Sequence, residues 1–279
     1  MALTAAGFVE VADRVWVGRY DPCDVNVVVV DGQAGRVVVD TRGTAEEGRE
    51  LARDLDRLAV RDVVAVVNTH AHFDHVFGNV AFPGVEVWGH RRVAELLADD
   101  VAMAERVEAL SSWYPDADGL RSTPRVPPTR TFEDTTTLDL GDRRLVLRFL
   151  GRGHTDHDTV VEVPDVDLVL AGDLVEESGP PQFGDAHPFA WPATVAALVG
   201  LGHTTVVPGH GAPVDPAFVR TQHDELAALA SLLAAYVVGD AFAADVVAGS
   251  PFPEEVTRAA VDRAAHDPDA PATGTRRRW

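Results

Sequence analysis

The stretch Asn68-Thr69-His70-Ala71-His72-Phe73-Asp74-His75 puts three histidines and one carboxylate within six positions. Imidazole and carboxylate are ligands that zinc takes up, so this spacing points to metal chemistry. The apolar run 63–67 just before it reads as a buried strand. If the chain stays extended, His70 and His72 point to the same side, because side chains alternate along a strand. Two imidazoles on one side can grip one ion. Asp74 and His75 follow after a turn and can address a second ion beside the first. The plain alternative is a histidine cluster on a surface loop, and the rest of the chain argues against it by supplying partners.

Those partners recur at the ends of apolar runs. The run 145–150 leads into Gly151-Arg152-Gly153-His154-Thr155, the run 167–171 into Gly172-Asp173, and the run 204–207 into Pro208-Gly209-His210-Gly211. Each is an apolar strand, then a small residue, then one ligand-type side chain. Glycine lets the backbone turn sharply and lets an ion approach closely. Open α/β sheets gather their sites at strand ends.

His-x-His-x-Asp-His at 70–75, Gly-His-Thr at 153–155, Gly-Asp at 172–173 and Pro-Gly-His-Gly at 208–211 together resemble the metallo-β-lactamase superfamily in its binuclear hydrolase form. The likeness covers residues 8–230 and is nearly silent on substrate. It implies that His70, His72 and His154 hold a first metal and that Asp74, His75 and His210 hold a second. Asp173 would bridge the two, together with a water or hydroxide. Asp74 and Asp173 are the catalytic candidates, and the implied cofactor is two divalent ions, zinc first, with iron or manganese as alternatives. Two ions about 3.5 to 4 Å apart lower the pKa of a shared water and polarise a substrate oxygen. Such a site needs no side-chain nucleophile, and Gly-x-Ser-x-Gly is absent from the chain.

The implied activity is metal-dependent hydrolysis, in which the bridging hydroxide attacks an ester, a lactone or a related acyl substrate. β-Lactam hydrolysis is one alternative. It is weakened because Glu176 stands where some β-lactamases present a cation to the substrate carboxylate, and no cysteine ligand is available. A mononuclear iron persulfide dioxygenase is the other, since such enzymes resemble this chain at His70, His154 and Asp173. Glutathione thioesterases use basic residues in a C-terminal helical region, which here is alanine-rich and acidic. RNA-processing members carry an inserted domain for which the chain has no room. A metal-binding protein without turnover is disfavoured by the intact ligand set.

The elements that must position these residues alternate between strands and helices. Residues 8–20 read as an edge hairpin, and 26–31 with 36–40 as two strands joined by a hairpin loop. Asp40-Thr41 either caps a helix or contacts a metal-bound histidine from behind. Thr44 opens a helix to Leu58 with Glu47 completing a capping box. A strand at 85–90 and an amphipathic helix at 91–110 follow, with His90 read as a surface histidine. Residues 111–128 are too proline-rich for regular structure and suit a lid or a connector. Strands at 131–139, 143–150, 159–163 and 168–171 build a second half. The proline- and aromatic-rich segment 176–191 is a candidate substrate wall, and His157, where the family often has a small residue, either donates to a carboxylate behind the ligands, faces the pocket or sits in a surface turn, the last being the favoured reading. Helices are expected at 193–201, 215–237 and 253–265, the last two outside the core. Two α/β halves facing each other predict an α/β fold, an αββα sandwich with C-terminal helices, the metals at one end of the interface. One domain is expected over 1–266, its core at 8–214 and its helical region at 215–266, then a disordered tail at 267–279.

The 279 residues suit one large α/β domain. Arginine and lysine total 24 against 44 acidic residues, and every one of the 24 is arginine. The formal charge of −20 repels phosphate backbones. A small molecule is therefore the expected partner, not nucleic acid. Cys23, the lone cysteine, allows no internal disulfide and reads as an idle thiol. No basic region precedes an apolar run at the N-terminus, and no run reaches the ~20 apolar residues of a membrane span. A cytoplasmic protein without a membrane partner is expected; oligomeric state has no signature in the sequence.

Overall fold

The computed structural model describes residues 7–58 and 61–272. The first half runs β1 (Val9–Ala12), β2 (Val15–Tyr20), β3 (Val25–Gly32), β4 (Gly35–Val39), α1 (Ala45–Arg57), β5 (Val63–Val67), α2 (Phe73–Val76), β6 (Glu86–His90), α3 (Arg91–Leu97), α4 (Asp100–Ser111), α5 (Ala117–Ser122) and β7 (Arg130–Phe132). The second runs β8 (Thr135–Asp139), β9 (Arg144–Phe149), β10 (Thr159–Val163), β11 (Leu168–Glu176), α6 (Trp191–Gly200), β12 (Thr205–His210), α7 (Pro216–Val238), α8 (Ala243–Gly249) and α9 (Glu254–Ala264).

The strands hydrogen-bond in the order β7-β6-β5-β4-β3-β12-β11-β10-β9-β8, with β2 on β3 and β1 on β2. The middle joint is thin, because β12 meets β3 through the single pair His210 and Val25. On either side of it the sheet presents two faces that share one core. Val28 and Val30 of β3, Val67 of β5, Leu147 of β9 and Leu170 of β11 are buried in the same cluster. Alternation sends Val27, Val29, Val38 and Val66 the other way, onto Leu51 and Leu55 of α1. In the second half Val160, Val169 and Ala171 face outward onto α6, α7 and α9. The layers are thus helix, sheet, sheet, helix: an αββα sandwich. Strands covered on both faces explain why β3 and β4 are buried throughout.

Several expectations need correction. The helix expected at 91–110 is two, because α3 ends at Leu97 with Ala98 as its C-cap and Asp99 caps the next, accepting from the amides of Val101 and Ala102. Segment 111–128 contains α5, capped by Asp116 and anchored by buried Tyr114 and Leu120. The strand expected at 131–139 breaks at Glu133-Asp134, and its parts, β7 and β8, lie at opposite edges of the sheet. The C-terminal helices are not outside the core, since Val219, Leu226, Leu233, Val256 and Val261 join the cluster under β11. Of the tail, 268–269 form a turn and 270 a bend beside buried Asp267, and 273–279 lie outside the described residues. Among the described residues no helix is long and apolar enough to cross a membrane.

Candidate metal centre

Seven side chains meet where the two sheets join. His70 and His72 leave the end of β5 in a series of bends, not in extended strand, and His72 is the N-cap of α2, which carries Asp74 and His75. His154 comes from the β9–β10 connection, Asp173 from within β11 and His210 from the last position of β12. Ligand atoms of His70, His72, His154 and Asp173 all lie within 4.8 Å of one another, as do those of Asp74, His75 and His210. Asp173 touches both groups. Its Oδ2 is 3.5 Å from Nε2 of His70, 3.3 Å from that of His154 and 3.4 Å from that of His210. Its Oδ1 is 3.2 Å from Nε2 of His75.

The sheet is irregular where it aims Asp173. The β11–β12 register slips on both sides of Gly172, whose φ is +54°. Such a break in pairing re-aims a side chain. On the neighbouring strand a methyl group at Gly209 would stand 1.8 Å from Oδ1 of Asp173. The glycine of Pro208-Gly209-His210-Gly211 therefore makes room for a carboxylate rather than for an ion.

Hydrogen bonds on the far side of the rings decide which nitrogens are free. Nδ1 of His75 donates to Asp40 at 2.8 Å, Nδ1 of His210 to the Cys23 carbonyl at 2.8 Å, and Nε2 of His72 to Asp185 at 3.0 Å. The Thr69 hydroxyl donates to Asp40 and accepts from Nδ1 of His70, which is 3.0 Å away. A ring that donates outward turns a lone pair inward, the arrangement that prepares a metal-binding imidazole. Among the described residues, Nε2 of His70 and Oδ1 of Asp173 are buried without a well-aligned hydrogen bond, although Nε2 of His75 stands 3.2 Å from that oxygen. Nδ1 of His72 faces Nε2 of His154 at 2.9 Å, and Nε2 of His75 faces Nε2 of His210 at 3.3 Å. Nitrogens this close need a proton or a cation near them. The donor set, its spacing and those two buried atoms fit divalent metal.

The charges agree. Burial lowers His70 well below the ordinary histidine range and His154 to about 4. Burial also acts on His75 and His210, but neighbouring carboxylates, Asp173 first, outweigh it, raising His75 well above that range and His210 to about 10. Burial opposes the ionisation of Asp173, yet His75 and His210 hold its carboxyl well below the usual range.

Of the residues left open by the sequence, Asp40 stands behind His75 and is not a helix cap. His157 is buried, which corrects the surface turn and leaves the reading in which it donates to a carboxylate. Its Nδ1 donates to Asp156, and its Nε2 accepts from the Ala71 amide between His70 and His72 at 3.1 Å. His90 caps α3 and packs on Phe149. Burial pushes the Cys23 thiol up to about 12. Asp185 and the Cys23 carbonyl were not legible as partners, since each lies far along the chain from its histidine. Glu176 ends β11 buried beside Asp173 and His210, with a ligand atom within 4.8 Å of theirs.

A cleft of about 820 Å³ opens over this cluster. Met103, Arg106, Leu110 and Trp113 wall one side, and Ser178, Gly179, Pro180 and Gln182 the other. Segment 176–191 thus lines the cleft, whereas 111–128 contributes only Trp113 to the lining. Arg106 pairs with Asp185 at 3.1 Å.

The profile of the metallo-beta-lactamase superfamily matches residues 20–210, and the chain belongs to that superfamily. A metallo-beta-lactamase type 2 from Bacillus sp. (strain 170) is 25% identical over 193 residues, which are 67% of this chain and 66% of that protein. A linear primary-alkylsulfatase from Pseudomonas sp. (strain ATCC 19151) is 23% identical over 221 residues, 67% of this chain and 41% of that one. The chain thus spans just under two thirds of the Bacillus relative. Among solved structures, a metallo-beta-lactamase from Pontibacter korlensis aligns with a TM-score of 0.64 over 79% of this chain and 98% of that one, at 24% identity, a likeness of fold.

Proposed function

We propose that the chain is a binuclear metal-dependent hydrolase of an ester, a lactone or a related acyl substrate. Superfamily membership supports metal-dependent hydrolysis. The observation that carries the binuclear reading is the reach of Asp173 into both groups of ligand-type side chains. In this reading His70, His72 and His154 hold one ion, Asp74, His75 and His210 the other, and Asp173 both. Two such ions supply a hydroxide nucleophile at neutral pH and polarise the substrate carbonyl. The chain's own part is positioning. Asp40, Asp185 and the Cys23 carbonyl hold the imidazoles of His75, His72 and His210 in the tautomer that binds metal. The apolar side of the cleft excludes water and orients the substrate. Hydrolysis adds one water: a C–O bond forms at the acyl carbon, the bond to the leaving oxygen breaks, and that oxygen takes the proton.

A β-lactam substrate is disfavoured, because Glu176 and no lysine stands beside the cluster. The test is metal analysis together with a turnover panel of lactones, esters, thioesters, nitrocefin and bis-aryl phosphates. Two zinc-type ions per chain and turnover of a lactone or ester are expected. Iron alone, at one per chain, would favour the oxygenase. One ion or none, without gain on adding zinc, sinks the binuclear reading.

A further inference from the structure

The wall formed by α4 explains more than closure of the cleft. Met103 and Val107 of α4 and Tyr114 just past its end are buried in one cluster with Phe73 and Phe77, which fixes the helix there. The adjacent stripe, Met103, Arg106 and Leu110 of α4 with Trp113 in the turn just past its end, follows at spacings of three and four and lines the cleft. Phe73 and Ala109 extend its apolar surface. Trp113 is 59% exposed although it is the largest apolar side chain of this wall. Its ring meets Phe73 edge to face at 5.9 Å, so a ligand along the stripe would cover both rings. The volume of about 820 Å³ lies in the range of about 300 to 1,000 Å³ that takes a drug-sized ligand, well beyond the small group that undergoes chemistry.

Charge narrows the occupant. Arg106 is the one arginine among the lining residues, and it is committed to Asp185. Glu176 and Asp185 are the carboxylates lining the cleft besides Asp74 and Asp173. A carboxylate at the far end of a substrate arm, away from the metal cluster, would lose water without gaining an unpaired arginine, which is unfavourable. We infer that the α4 stripe is a subsite for an uncharged apolar arm of the substrate, several methylenes long, running from the metal cluster toward Trp113. The inference rests on the acyl-hydrolase reading for what stands at the cluster, and on α4 alone for the arm.

The test uses the zinc-loaded protein and γ-lactones whose unbranched tail grows from methyl to octyl, with matching 2-alkylcyclopentanones as ligands that cannot be hydrolysed. kcat/KM for the lactones and the association constant for the ketones, from calorimetry, should each climb about fourfold per methylene until the tail leaves the wall. Leu110→Asn and Trp113→Ala should flatten the climb below about twofold per methylene, with metal content unchanged. Trp113 is exposed enough that its removal spares the fold. With the metal removed by chelator, so that no ion can take the carboxylate, a ketone tail ending in carboxylate should bind at least about tenfold more weakly than its methyl-ended counterpart. A flat series, or an undiminished slope in both variants, overturns the arm. Equal or tighter binding of the carboxylate overturns its uncharged character. Ketone binding that climbs with length while no lactone or ester turns over would leave the arm standing and remove the acyl-hydrolase reading instead.

Discussion

Gly209 and Asp173 form one unit although 36 positions separate them. A carboxylate shared by two cations offsets their repulsion, so Asp173→Ala should release the ion on Asp74, His75 and His210 while three histidines keep the other. Turnover should fall at least ~10²- to 10³-fold. Gly209→Ala should act alike, because its methyl would claim the space of Oδ1. Elemental analysis of both proteins should give one ion per chain; two ions and near-normal turnover in either would remove the bridge. His157→Ala should keep both ions, since its ring serves the Ala71 amide, and should lower stability by about 1–3 kcal/mol for the donor left unpaired. The histidines and Asp173 were legible because ligand chemistry is written in residue type and spacing. His157 was misread because two flanking aspartates look like a solvated turn, and nothing local revealed the amide it serves.

The elements that carry the ligands are held by elements that do not. The loop after β11 brings Asp185 to His72, and the C-terminal segment secures that loop: Arg263 donates to the Ala186 carbonyl, and Asp267 accepts from the Phe189 amide. Asp185→Ala removes the partner of both His72 and Arg106. Metal affinity should fall about 10- to 100-fold, as when other histidine-orienting groups are lost. Competition with a chromogenic chelator measures it, and unchanged affinity would make Asp185 a mere surface partner of Arg106. Strand positions were largely readable from apolar runs, whereas α5 and α8 were not. Their sequences, at six and seven residues, are too short to show a period, and packing together with a side-chain cap at each N-terminus sustains them.

For the whole molecule, the cluster links stability to pH. In the metal-free protein His75 and His210 hold protons that their carboxylate neighbours favour. A folded pKa above the unfolded value of about 6.5 gives stability that is complete below that pH and fades as pH rises toward about 10. Asp158, raised to about 7 mainly by burial, adds loss in the same direction between about pH 4 and 7. The Tm of chelator-treated protein should therefore fall between pH 6.5 and 10, while the zinc-loaded protein, in which metal replaces those protons, should hold its Tm. Parallel melting series check this, and coincident curves would mean that the cluster is not the metal site. Two facing halves were legible in the succession of strands and helices. The seam between them was not, because one pairing of His210 with Val25 leaves no mark in the sequence. Along the chain the halves are connected only at Glu133-Asp134. His70, His72, Asp74 and His75 hang from one and His154, Asp173 and His210 from the other. Any ion bound by Asp173 and the first-half histidines is a clasp across that seam. Nicked at Glu133, the protein would become two pieces that the shared apolar core still joins, with zinc adding a second hold across the seam.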